Sequence, residues 1–145
     1  MTDSTLELTG PTNLKVGMHV LVGLLATEVV LVSLAFLWVF IYSTVINTGG
    51  DEAYYQAYAQ VSSPVVAVVG SFPVFFVMAR MFRNRLAERA LVAAFVTVAI
   101  NLAIDLPLVV MMAEDMTYNL TAAVLAATGK VLGAYFGARP ARASS

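Results

Sequence analysis

Long apolar stretches separated by short polar connections dominate the sequence. The pattern predicts four helical spans, over about residues 16–46, 61–82, 89–113 and 117–138. At about 1.5 Å of rise per residue, each is long enough to cross the roughly 30 Å hydrocarbon core of a bilayer. The first span, at roughly 46 Å, exceeds that thickness and should tilt or protrude. We therefore expect an all-α integral membrane protein whose four transmembrane helices form an up-down bundle.

Capping residues and prolines divide these spans further. Pro11, Thr12 and Asn13 form a helix-start signal before the first span, and Asp51 and Asp115 can each cap the helix that follows them. Pro73 lies halfway along the second span and predicts a kink, because proline lacks the N–H that a helix interior uses. We divide the chain into an N-terminal segment (1–15), a four-helix transmembrane domain (16–138) and a C-terminal tail (139–145).

The composition agrees with a membrane location and argues against several kinds of site and partner. Of 145 residues, 60% are hydrophobic and 12% are charged, which is more apolar surface than a soluble domain of this size can bury. A formal net charge of -1 argues against a nucleic-acid partner. The absence of cysteine and the single histidine, His19, leave no disulfide and no metal-ligand spacing. Motifs of nucleotide-binding proteins and hydrolases are also missing, so we expect no catalytic residues, no cofactor and no metal.

Basic residues predict the orientation of the bundle. Lys15, the run from Arg80 to Arg89, and Arg139 with Arg142 all fall on one side of a four-span arrangement. The other two connections contain neither lysine nor arginine. By the positive-inside rule, both termini are expected to be cytoplasmic in a multi-pass protein of the cell inner membrane. The stretch before Lys15 lacks the basic region of a signal peptide, and the apolar run after it is too long for one, so we expect the first span to be retained.

Three charged residues fall within ~7 Å of the centres of the predicted spans. Measured from the span centres, Glu28 in the first span and Lys130 in the fourth each lie ~3 Å toward the cytoplasm. They are placed to meet, either as a structural interhelical pair or as part of a proton relay. Asp105 lies ~7 Å toward the outer side. It would then be left without a cation, which makes it the stronger candidate for a proton carrier.

A polar stripe accompanies these residues. Thr97, Asn101 and Asp105 repeat every four residues in the third span and so share one helix face. An ionised carboxylate at the bilayer centre costs at least ~2.5–3.5 kcal/mol, so such residues should face the bundle interior. The predicted polar core for transport consists of Glu28, Ser71, Thr97, Asn101, Asp105 and Lys130.

The segment around Glu28 allows one family comparison. The string Ala26-Thr27-Glu28-Val29 resembles the first helix of the small multidrug resistance transporters, where a glutamate exchanges protons for cationic substrates. The resemblance covers only these few residues. The long first helix, the long connection before Gln60 and the mid-membrane Lys130 depart from that family's pattern, so the chain is not assigned to it.

A glycine row in the fourth span leaves two functions open. Gly129, Gly133 and Gly137 repeat every four residues and allow another helix to approach closely, whether from this chain or from a second copy. The leading hypothesis is a small bundle in the lipid bilayer, in a homo-oligomer or a larger membrane complex, that moves an ion or a small solute. The alternative is a non-catalytic structural or accessory subunit that assembles through the glycine row. A polar cavity between the first, third and fourth spans would favour transport, and an outward glycine face would favour the alternative.

Overall fold

The computed structural model describes residues 12–112 and 115–139, which are helical except for short connections and contain no strand. The helices are α1 (Asn13–Ile41), α2 (Glu52–Leu86), α3 (Ala90–Met112) and α4 (Met116–Ala138). A π-helical turn, Tyr42–Ile46, extends α1, and a 3-10 turn, Ala87–Arg89, joins α2 to α3. Most of the predicted N-terminal segment, Glu114 in the predicted third connection, and the predicted tail beyond Arg139 lie outside the described residues.

Three continuous helical stretches are long and apolar enough to cross a membrane. They are Asn13–Ile46, Glu52–Met111 and Met116–Ala138. The 60 residues of the middle stretch include both α2 and α3. Ala87 lies between them with φ 47° and ψ −112°, and the chain turns there. The expected all-helical fold with membrane-length apolar helices is therefore confirmed.

Local sequence fixes where the helices begin. Asp51 and Asp115 cap α2 and α4 as predicted, and Thr12 caps α1: in each, a side-chain oxygen accepts a hydrogen bond from the backbone N–H three residues on, at 2.9 Å for Asp51, 2.9 Å for Asp115 and 3.3 Å for Thr12. Each such cap stabilises its helix by roughly 1 kcal/mol. α2 remains helical through Pro64 and Pro73.

α1 runs antiparallel to α2. Near the end of α1, the indole N–H of Trp38 donates to the hydroxyl of Tyr58, near the start of α2, at 3.0 Å. Near the start of α1, His19 packs edge-on against Phe82, near the end of α2, with ring centroids 6.1 Å apart. The two helices are therefore in contact near both ends of the pair.

α2 and α4 run in the same direction and lie side by side. The hydroxyl of Tyr118, at the start of α4, donates to the carbonyl oxygen of Val61 at 2.7 Å. At the other end of the pair, Gly137 lies against the backbone of Phe76. Two parallel helices therefore form the most extensive contact in the protein.

The spatial order of the helices differs from their order in the chain. Arg89, just before α3, donates to the side-chain oxygen of Asn13 at 2.7 Å, so α1 and α3 start at the same end. Directions thus alternate along the chain, as in an up-down bundle. Around the bundle, however, the order is α1, α2, α4, α3, with α2 and α3 also in contact and almost no contact between α1 and α4.

The two ends of the bundle differ in charge and packing. We call the end where α1 and α3 begin the arginine end, since Arg83, Arg89 and Arg139 lie there, and the opposite end the acidic end, after Asp51 and Asp115. The buried hydrophobic core occupies the half of the bundle next to the arginine end. Phe75 and Leu86 are its largest fully buried side chains, and alanines supply much of the rest.

Candidate functional site

Four side chains from three helices form a continuous hydrogen-bonded chain, which we call the polar chain. The Asn101 side-chain N–H group on α3 donates to the Glu28 carboxylate on α1. The Lys130 ammonium on α4 donates to the Asn101 side-chain oxygen and to the Asp105 carboxylate, with which it forms a salt bridge. The structure therefore brings together four of the six residues of the predicted polar core.

Burial differs sharply between members of the polar chain. Asn101 is 0% exposed and Lys130 is 3% exposed, whereas the Asp105 side chain is 31% exposed and Glu28 is half-buried. Asn101 turns its donor toward a carboxylate and its acceptor toward an ammonium group. Because a buried amide requires partners for both groups, this orientation gives its N–H group and its oxygen one partner each. The two carboxylates are the members that remain open to approach.

The polar chain holds more negative than positive charge. With all groups ionised, Glu28 and Asp105 contribute two negative charges and Lys130 one positive charge. Within residues 12–112 and 115–139, the Lys130–Asp105 pair is the only salt bridge. Glu28 is hydrogen-bonded only through the neutral amide of Asn101 in this part of the chain. A proton or a cation bound at Glu28 would compensate the excess charge, which is costly to keep away from water.

A cavity of about 650 Å³ lies between the four helices on the acidic side of the polar chain. It extends from Glu28, Asp105 and Lys130 to Asp115 and Asn119 at the start of α4. Small side chains leave much of this space open, namely Ala35, Ala59, Ala67, Ala122, Ala123 and Ala126. The cavity therefore connects the polar chain with the acidic end of the bundle.

Phe75 closes the other side of the polar chain. The Lys130 ammonium nitrogen lies 5.6 Å from the centroid of the Phe75 ring, a cation–π contact. Phe75 is fully buried, and the hydrophobic core of the arginine end lies beyond it. The residues that line the cavity therefore lie toward the acidic end, and the packed core lies on the other side of the polar chain.

Two predicted polar-core residues do not join the polar chain. Thr97 donates to the carbonyl oxygen of Ala93 at 2.9 Å, and Ser71 donates to that of Ala67 at 2.5 Å. Both hydroxyl groups are fully buried and use the backbone of their own helix as partner. They satisfy local hydrogen bonding beside the polar chain without extending it.

The glycine row packs against α2 of the same chain. A Cβ atom at Gly133 would lie 2.4 Å from the carbonyl oxygen of Phe72, and one at Gly137 would lie 2.3 Å from that of Phe76. At Gly129 the nearest atom would be the Cβ of Ser71, at 3.1 Å. Close approach of α2 occupies this helix face, so it is not open to another protein in this structure.

The observed pairing differs from the pairing that the depth estimate suggested. Lys130 pairs with Asp105 and not with Glu28. Side chains on a helix lean toward its N-terminus, and α3 and α4 run in opposite directions, so Asp105 and Lys130 lean toward each other. Lys130 and Glu28 lean apart by the same rule. Their helices, α4 and α1, also share almost no contact.

Sequence reasoning missed the closing phenylalanine and the alanines that line the cavity. Phe75 follows Ser71 by one helical turn, so the i, i+4 spacing places it on the same face of α2. Ala122, Ala126 and Lys130 follow the same spacing on α4. These spacings were visible in the sequence, but alanine and phenylalanine are so common in membrane helices that neither signalled a site.

Comparisons with protein-family models, curated proteins and solved structures find no match for this chain. The described residues contain no group of three histidine, cysteine, aspartate or glutamate side chains that could hold a metal ion.

Proposed function

We propose that this protein moves protons or a small cation across a membrane, and that the Glu28 carboxylate binds the transported proton or cation. The single observation behind the proposal is that the cavity is lined at its inner end by a half-buried carboxylate whose hydrogen-bond partner is neutral. An intramembrane acid of this kind is a common feature of ion and proton pathways. The adjacent Asp105 is instead matched by Lys130.

The proposed topology has four membrane crossings and both termini on the cytoplasmic side. The turn at Ala87 and the shared direction of α1 with α3 support separate crossings for α2 and α3. The arginine end would face the cytoplasm by the positive-inside rule. In the cell inner membrane, the cavity would then open to the outer side.

The polar chain suggests a role for each member. Glu28 takes up the proton or cation from the cavity, and Asn101 holds its carboxylate in place. The Lys130–Asp105 pair fixes the Asn101 amide from the other side. Glycine packing joins α2 and α4 closely, so release to the cytoplasm requires α1 and α3 to shift against that pair and open the core beyond Phe75.

Flux measurements on reconstituted protein test the proposal. Purified protein in liposomes that contain a pH-sensitive dye should acidify the lumen under an inward proton gradient; for a cation, flux is followed with a radioactive or fluorescent tracer. Glu28→Gln keeps an oxygen that can accept from Asn101 but cannot bind a proton, so flux should be lost. Glu88→Gln is the matched control, because the same change is made at an exposed residue of the arginine end.

Two results bear against the proposal. Flux that is unchanged in both Glu28→Gln and Asp105→Asn would remove the polar chain from the pathway. No flux through the wild-type protein, together with a partner protein that co-purifies in fixed proportion, would favour the accessory-subunit function.

A further inference from the structure

Two arginines lie at the arginine end, where α2 and α4 end side by side. Arg83 donates to the backbone carbonyl oxygen of Ala138, the residue before Arg139, at 3.4 Å. The Arg139 guanidinium lies over the Tyr135 ring, with its central carbon 4.0 Å from the centroid, and also bonds to the Tyr135 hydroxyl. Neutral groups therefore hold both arginines in position. We call this place the α2–α4 seam.

No carboxylate balances these two charges in the part of the chain that the structure describes. The single salt bridge there is Lys130–Asp105, in the polar chain. Glu88 is the acidic residue described at the arginine end, and it is exposed on the 3-10 turn. Arg80, one helical turn before Arg83 on α2, adds a further positive charge. Like charges gathered in this way favour an anionic partner.

The depth and chemistry of the seam indicate which anion fits. Tyr135 and Phe136 stand one turn before the end of α4, as aromatic residues do at the level of lipid headgroups. The planar guanidinium group matches two oxygens of a phosphate at once. Phospholipid phosphates lie at this depth in the membrane. An anionic headgroup carries no positive charge, so its binding site does not require a carboxylate next to the arginines.

We infer that the α2–α4 seam binds the phosphate of an anionic phospholipid through Arg83 and Arg139. The lipid would bridge the C-terminal ends of α2 and α4, the two helices that pack through the glycine row. This site is separate from the cavity and does not depend on the proposed transport function.

Native mass spectrometry of the purified protein tests the site by titration with phosphatidylglycerol and, separately, with phosphatidylcholine. The seam variant is Arg83→Gln with Arg139→Gln. The control, Lys15→Gln with Arg85→Gln, removes the same charge from the same end but leaves the seam intact. We expect the seam variant to bind phosphatidylglycerol about tenfold more weakly, because it loses two charge-assisted contacts. The control should change less than about threefold, as expected for exposed charges.

Three results would overturn the inference. They are equal losses in the seam and control variants, equal affinity of the wild type for the two lipids, and inorganic phosphate alone binding as tightly as phosphatidylglycerol. If the glutamine variant does not fold, Arg83→Lys with Arg139→Lys replaces it. That variant keeps the positive charges but loses the planar guanidinium groups that can each bind two phosphate oxygens. Its affinity for phosphatidylglycerol should therefore still fall below that of the control. An unchanged affinity would contradict a seam built on the guanidinium groups.

Discussion

Replacing Gly133 by alanine tests the packing of α2 against α4. The added Cβ would lie 2.4 Å from the carbonyl oxygen of Phe72 and 2.9 Å from the backbone nitrogen of Phe76. Ordinary contact begins at 3.4 Å, so the first distance is 1.0 Å too short (3.4 minus 2.4) and the neighbouring atoms are backbone. Overpacking of this kind destabilises by about 1–3 kcal/mol, whereas alanine gains about 0.5–1 kcal/mol over glycine in a helix. We expect a net loss of about 1–2 kcal/mol.

Unfolding in detergent, followed by the fluorescence of the single tryptophan, Trp38, measures this effect. Gly17→Ala is the matched control, since a Cβ there meets nothing within 4 Å and should leave stability unchanged or raise it by up to about 1 kcal/mol. Gly129→Ala should fall between them, because its closest contact would be 3.1 Å. Equal stability of Gly133→Ala and Gly17→Ala would refute the close packing of the two helices.

Three further substitutions test the polar chain, the cavity and the turn. Lys130→Met leaves the Asp105 carboxylate without a cation and should destabilise the protein by about 2–3 kcal/mol in the same unfolding assay. The loss is smaller than for a fully buried pair because Asp105 is partly exposed. The double variant Lys130→Met with Asp105→Leu should recover most of this stability. Ala122→Phe narrows the cavity and should reduce liposome flux severalfold, whereas Ala103→Phe, on the exposed face of α3, should not. Ala87→Gly removes the strain of a positive φ and should raise stability by about 1 kcal/mol; no gain would show that the turn is unstrained.

Features set by neighbouring residues could be predicted from the sequence. The caps at Asp51 and Asp115 depend on a side chain and a backbone group only three residues apart, so no tertiary information was needed. The levels of Asn101 and Lys130 followed from counting along straight helices of known rise. These local rules account for the helices and for most members of the polar chain.

Features set by helix neighbours could not be predicted in this way. Depth along the helix axis ignores the lean of each side chain, so the pairing of Lys130 with Glu28 that it suggested was wrong and Asp105 is the partner. The cavity could not be predicted from the sequence either. Ala134 is buried in the core and Ala122 lines the cavity, although both lie on α4 in similar apolar sequence. Which alanine meets a neighbour depends on how the helices converge.

If the proposed function holds, water reaches the polar chain through the cavity from the acidic end only. Because the chain contains no cysteine, a single introduced cysteine reports its own access to water. In oriented membrane vesicles, a membrane-impermeant thiol reagent should label Ala122→Cys, at a half-buried position in the cavity lining, from the acidic end and should not label Ala134→Cys, in the buried core of the same helix, from either side. Labelling of Ala122→Cys from the arginine end, or from neither end, would contradict this expectation.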